Sequence, residues 1–220
     1  MGFFEGKRCL FFGKKNCSLS SKCVHLLNSY GCSVDSVFND VRGAKLPSDV
    51  FSWKGDFIIS YHNYWLLPSS VLESAGVMAI NFHPATPSFP GSGSYSWAIY
   101  ENAKEFGVTV HLMDEKFDHG RILQVYKFNL DEGITLMELI QKAKAFSFEC
   151  FEDFINSLNE KKLDQVLLFL AKGSGDTWQG DARKISDIER MRVIPVGMSP
   201  EETARRIRAF HTPDFPVIFE

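Results

Sequence analysis

The sequence predicts an α/β protein with a doubly wound, mostly parallel sheet and a small C-terminal extension. Three observations carry this reading. Short apolar runs alternate with stretches of helical period through the first two thirds of the chain. Gly13, Gly31, Pro68 and Pro84 fall where the runs stop. The 220 residues are 45% hydrophobic and 23% charged, enough apolar side chain for a sizeable core. The alternation is Rossmann-like.

The elements follow in order. Arg8 to Phe12 is an apolar run ended by Gly13 and reads as a buried strand. Ser18 to Tyr30 places Cys23, Val24, Leu26 and Leu27 at helical spacing and stops at Gly31. Ser33 to Phe38 and Asp56 to Tyr61 read as further strands. A short helix is expected over Leu67 to Glu73, then a strand over Val77 to Phe82 that closes at His83-Pro84, because proline has no N–H for a ladder. A Pro- and Gly-rich loop, Pro84 to Gly93, leads to a helix near Tyr95 to Asn102. Strands follow at Val108 to Met113 and Arg121 to Leu130, then a long amphipathic helix from Thr135 to Leu158.

Residues 1–160 are expected to form one catalytic domain and residues 161–220 an extension. Lys161 to Gly175 reads as a short apolar stretch. Beyond it the chain turns polar through Trp178, Gln179 and Arg183, with a helix at Pro200 to Phe210 and a strand-like segment at Phe215 to Glu220.

Several function classes are disfavoured. A net charge of -3 provides no basic surface for nucleic acid. No run of 18 apolar residues is present, and Met1 to Arg8 lacks the layout of a secretory signal. Gly2 opens like a myristoylation site, but Lys7 stands where Ser or Thr is needed. The five cysteines are an odd number without a CxxC pair, which fits free thiols in a reducing cytoplasm. Gly13-Lys14-Lys15-Asn16 follows the first strand without GxGxxG, so a dinucleotide site is poorly supported.

Two stretches carry candidate chemistry. In Asn81-Phe82-His83-Pro84 the period of two points Asn81 and His83 to one side, at the carboxyl end of a strand where open α/β sheets bind ligands. An amide and an imidazole there can stabilise an oxyanion and move a proton; the alternative is that both only satisfy backbone groups. In Gly107 to Gly120 a strand runs into an acidic loop, and Asp118 can reach His83 if the strands are neighbours; the alternative is a solvated turn carboxylate.

Taken together, Asn81-x-His83-Pro84, the loop to Gly91, and Gly107-Val108-Thr109-Val110-His111-x-Met113-Asp114-x-x-x-Asp118-x-Gly120 resemble the folate-dependent formyltransferase superfamily over about residues 56–150. The resemblance implies transfer of a formyl group from the co-substrate 10-formyltetrahydrofolate to an amine, with Asn81, His83 and Asp118 as the catalytic trio and no metal. It also implies that Tyr64, Trp65, Leu66, Glu115 and Lys116 border the folate. The loop after His83 is one residue shorter than is usual, and Asp118-His119-Gly120 replaces Asp-Thr-Gly; His119 reads as a passive replacement. Arg205, Arg206, Arg208 and Ala209 before Phe210, with Pro213-Asp214-Phe215-Pro216, look like the region after the catalytic domain in sugar N-formyltransferases. This implies a nucleotide-linked amino-dideoxy sugar as acceptor and a homodimer. A glycinamide ribonucleotide-type or other small-amine acceptor is the alternative.

Three further expectations are open to the structure. Ser92, Gly93, Ser94, Tyr95 and Trp97 begin a helix whose free N–H groups suit an acceptor phosphate, unless Ser94 is only an N-cap and Trp97 only core. A metal-dependent hydrolase using His62, His83, His111, Asp118 and His119 is a weaker reading, because HxH and HExxH spacings are missing. A nucleotide-binding module without catalysis is the other rival.

Overall fold

The computed structural model describes residues 2–220. Among them, β1 (Arg8–Lys14), α1 (Ser18–Ser29), β2 (Ser33–Asn39), β3 (Gly55–Tyr61), α2 (Ser69–Leu72) and β4 (Ala75–His83) form the parallel, doubly wound half. Then come α3 (Ser94–Tyr100), β5 (Glu105–Leu112), β6 (Ile122–Asn129) and α4 (Leu136–Asn159). The remainder holds α5 (Leu163–Lys172), α6 (Ile185–Arg192), β7 (Val193–Ile194), α7 (Pro200–Phe210) and β8 (Ile218–Phe219). The main sheet has the order β2-β1-β3-β4-β5-β6. Pairs up to β3–β4 are parallel, and β4–β5 and β5–β6 are antiparallel.

Alternation of side chains builds a core on each face. In β1, Cys9 and Phe11 enter one cluster while Leu10 and Phe12 enter the other. In β3, Phe57, Ile59 and Tyr61 join the first and Ile58 the second. Met78, Ile80 and Phe82 of β4 and Val108 and Val110 of β5 continue the first face. Helix α4 covers it with Phe151, Phe154, Ile155 and Leu158. A capping box starts α4: Glu138 N–H donates to Thr135 Oγ1 at 3.3 Å, and Thr135 N–H donates to Glu138 Oε2 at 2.9 Å. Its 24 residues span about 36 Å, long enough for its first turns to reach a third cluster with α3 and α7. Gly107 lets β5 and β6 pair closely, since a Cβ there would collide with the Tyr126 carbonyl.

The C-terminal part adds three features to the sequence reading. Leu163–Lys172 is a helix, not merely an apolar stretch; Lys162 N–H donates to Gln165 Oε1 at its start, and Val166 and Leu170, one turn apart, are buried. Helix α7 packs on α3, with Arg205 Nε 2.6 Å from the Tyr100 carbonyl and Arg208 Nη2 2.8 Å from the Ile99 carbonyl. These guanidinium groups satisfy carbonyls at the end of α3, while Phe210 packs on Trp97 and Tyr100. In the last strand, Ile218 and Phe219 pair in parallel with Val193 and Ile194 of the same chain.

Candidate active site

The polar cluster lies where β4 ends. Asn81 and His83 point away from Ile80 and Phe82, as period two requires. The antiparallel register sets His111 opposite Asn81 and Thr109 opposite His83, so four polar side chains share one sheet face. Thr109 Oγ1 donates to the Ala85 carbonyl at 2.7 Å and fastens the turn after β4. Asn81 Nδ2 is 3.1 Å from His111 Nε2. His111 Nδ1 is 2.8 Å from the Leu112 carbonyl, and its Nε2 faces Asn81 and Asp118 together.

Asp118 reaches this face from the loop after β5, with a left-handed backbone at φ 44°. Its Oδ2 is 3.1 Å from His83 Nδ1 and accepts the Gly91 N–H at 2.6 Å, while Oδ1 is 3.5 Å from His111 Nε2. Burial works to raise the Asp118 carboxyl, but His83, His111 and the Gly91 N–H outweigh it and hold its pKa below the ordinary carboxylate value. Burial dominates at His83 and pushes the imidazole pKa down; Asp118 and the Phe89 carbonyl oppose it. Burial therefore favours the neutral ring, and its two nitrogens face acceptors, Nδ1 the Asp118 carboxylate at 3.1 Å and Nε2 the Phe89 carbonyl at 2.9 Å, so whichever nitrogen carries the proton has a partner.

The other sequence-predicted residues are distributed around this centre. Trp65 is half-buried, donates from Nε1 to the Ala44 carbonyl at 2.7 Å and packs edge-on against Phe12. Tyr64 lies under the Lys14 ammonium and the Arg42 guanidinium, and Leu66 is exposed. Glu115 and Lys116 are exposed in the loop before Asp118. His119 turns away from the trio and pairs with Asp114 at 2.6 Å. His62, at φ 55°, stacks on Tyr61, and burial pushes its pKa down to about 4. Among the described residues, no group of three His, Cys, Asp or Glu is arranged to hold a metal.

In the segment Ser92 to Trp97, the first of the backbone N–H groups is already bonded within the chain. Ser92 N–H donates to the Arg183 carbonyl at 2.7 Å, and Ser94 is buried. Gly93, at φ 76°, is the N-cap in place of Ser94. Trp97 is half-buried between Phe210 and the Arg183 guanidinium. The chain's own later segment thus occupies the Ser92 donor.

That later segment also brings a residue which sequence reasoning placed elsewhere. Trp178, Gln179 and Arg183 read as a polar tail, yet they lie along the site. The Trp178 ring centroid is 5.7 Å from His83 and 5.1 Å from His111, both edge-to-face. Gln179 N–H donates to the Pro87 carbonyl at 2.9 Å and Arg183 N–H to the Pro90 carbonyl at 3.0 Å. Backbone bonds of this kind leave no trace in residue type. His111 was more legible, since the strand register alone sets it beside Asn81.

A buried carboxylate–imidazole pair with an amide beside it thus lies at the carboxyl end of a strand in a doubly wound sheet. The formyl transferase family profile matches residues 39–155, and the chain belongs to that family. It is 30% identical over 164 residues to the GDP-perosamine N-formyltransferase of Brucella melitensis biotype 1, covering 73% of this chain. It spans 59% of that relative's length. The fold is similar to that of a 4-N formyltransferase from Francisella tularensis, with TM-score 0.73 and 20% identity over 96% of this chain and 91% of that one. It is also similar to the N-formyltransferase from Helicobacter canadensis in complex with folinic acid and dTDP-3-aminofucose, with TM-score 0.69 and 16% identity over 96% and 83% of the two chains. No helix among the described residues is long and apolar enough to cross a membrane.

Proposed function

We propose that this protein transfers the formyl group of 10-formyltetrahydrofolate to the amine of a nucleotide-linked amino-dideoxy sugar, such as a dTDP-amino-dideoxyhexose, made for surface polysaccharide. The observation that carries the chemistry is the His83–Asp118 pair with Asn81 on the same face. The acceptor class rests on the relatives, whose names give GDP-perosamine and dTDP-3-aminofucose.

The trio divides the work. A neutral amine attacks the formyl carbon, a C–N bond forms, and the carbonyl π pair moves to oxygen. The Asn81 amide, which carries a second N–H beyond the one facing His111, donates to that oxygen; one such donor is worth about a hundredfold in rate. His83 takes the surplus proton of the amine, with Asp118 holding the ring and stabilising the imidazolium. Collapse re-forms the carbonyl, breaks the bond to the folate nitrogen, and that nitrogen takes the proton back from His83. Formamide and tetrahydrofolate leave.

On the donor side, Leu66 and Phe117 are exposed apolar side chains suited to a flat heteroaromatic ring. Tyr64, Glu115 and Lys116 border the same path. Trp65, held by Ala44 and Phe12, serves as a wall rather than a stacking partner. Residues 1–160 act as the catalytic unit and 161–220 as its extension. A homodimer through the extension is supported by the exposed apolar side chains of Phe215, Ile218 and Phe219. The enzyme works in the cytoplasm, where both substrates are made.

A panel of amines with 10-formyltetrahydrofolate tests this reading: GDP-, UDP- and dTDP-amino sugars, glycinamide ribonucleotide and simple amines. Formamide formation on a nucleotide sugar supports it. Turnover of glycinamide ribonucleotide alone, or of nothing, overturns it. Light scattering at micromolar concentration tests the dimer, and a monomer mass rejects it.

A further inference from the structure

We propose that Trp178 is a positioning residue of the reaction: its indole holds the His83 and His111 rings against the two oxygens of Asp118 and closes that cluster off from water. The proposal rests on the formyl-transfer reading above.

The geometry supports it from both sides. The two imidazoles meet different oxygens of one carboxylate, His83 at Oδ2 and His111 at Oδ1. One indole lies edge-to-face with both rings, at interplanar angles of 71° and 87°. Edge-to-face aromatic pairs have a preferred geometry, so a single ring between two imidazoles limits the rotation of each. The indole is itself fixed: Nε1–H donates to the Gly120 carbonyl at 2.8 Å, two residues beyond Asp118. The strand of chain that carries it is tied down along its length. Ser174 N–H donates to the Ile122 carbonyl, Gln179 N–H to Pro87 and Arg183 N–H to Pro90. Ser88 Oγ donates to Gln179 Oε1 at 2.9 Å. The segment thus bridges the loop after β4, which bears Phe89 and Gly91, and the loop that bears Asp118. A stretch with few apolar residues of its own is held in place by bonds to the two loops that make the site.

The titratable groups facing His83 are Asp118, from the loop after β5, and His111, from β5. The loop after β4 contributes only the Phe89 carbonyl, and the strap contributes the neutral indole. Removing the indole therefore changes solvation at His83 without removing a charge. Because burial is the largest influence on that ring, its pKa rises when water enters.

The test is an NMR titration of the His83 ring in the full chain, with Trp178→Ala and Trp178→Phe beside the parent, together with kcat and KM on the amino sugar the panel identifies. Trp178→Ala is expected to raise the His83 pKa and to lower kcat at least tenfold, with KM for the folate little changed. Trp178→Phe, which keeps a ring but loses the bond to Gly120, is expected to restore the His83 pKa and recover most of kcat. If Trp178→Ala, folded by circular dichroism, leaves the His83 titration where it was, the proposal is overturned. So is it if Trp178→Phe matches Trp178→Ala in both readouts. If Trp178→Ala itself does not fold, the comparison of Trp178→Phe with Trp178→Leu decides by the same criteria. The titration needs no turnover, so a parent without formyl transfer overturns the functional reading and leaves the positioning result standing.

Discussion

Asp118 meets His83 at 3.1 Å from a backbone that is left-handed, φ 44°, so the carboxylate is aimed by a conformation that few residues adopt. Asparagine tolerates this region, which makes Asp118→Asn a clean change of charge. We expect Asp118→Asn to keep the fold by circular dichroism and to lose formyl transfer by about a hundredfold or more. His83→Asn is expected to behave alike. Near-parental turnover in either variant removes that residue from the mechanism.

Acid should weaken the protein well before its carboxylates titrate. The unfolded His62 ring takes its proton near a pH of about 6.5, whereas the folded ring holds out to about 4. Burial lowers His83 in the same direction. A depressed imidazole pKa means that stability is full above the unfolded value and falls as pH drops through that window. The Asp118 carboxyl, also depressed, adds stability that is lost only at still lower pH. Urea melts at pH 7.5, 6 and 5 are expected to show a falling midpoint. His62→Asn, which fits φ 55°, should flatten part of the fall. A midpoint constant over this range refutes the assignment.

Gly107→Ala is expected to cost at least about 2 kcal/mol, because the new methyl meets the Tyr126 carbonyl of the neighbouring strand rather than a movable side chain. Thermal or urea unfolding measures it. A loss below about 0.5 kcal/mol would show that β5 and β6 separate easily.

Phe210 anchors α7 between Trp97 and Tyr100 and is almost fully buried. Phe210→Ala should therefore destabilise the chain by about 3–5 kcal/mol, the range for large aromatic truncations in cores. An unchanged melt would mean that α7 contributes nothing to the stability of the sheet domain.

The sheet was legible because β1, β3 and β5 are buried on both faces, β4 alternates between buried and half-buried positions, and Gly and Pro bound the runs. Asn81 and His83 were legible for the same reason, since a strand's period of two fixes which side chains share a face. Helix α5 escaped because its start is capped by Gln165, and only Val166 and Leu170 mark its buried side. The acceptor of the Ser92 N–H, the Arg183 carbonyl, escaped because it is 91 residues away in sequence. Trp178 was hidden in the same way: its Nε1–H bond to Gly120 spans 58 residues, and its neighbours in sequence are polar. Long-range backbone pairing has no residue signature, so the residues it delivers look like tail.

The strap from Ser174 to Arg183 gives the site an order of assembly. Chains emerge from the ribosome N-terminus first, and strands β1 to β6 with α4 are complete before Trp178 has been joined to the chain. Asn81, His83, His111 and Asp118 are all present in that earlier piece, wet and uncovered. The nascent protein therefore carries these side chains for a time without the indole that lies beside them, and a segment made later completes the cluster.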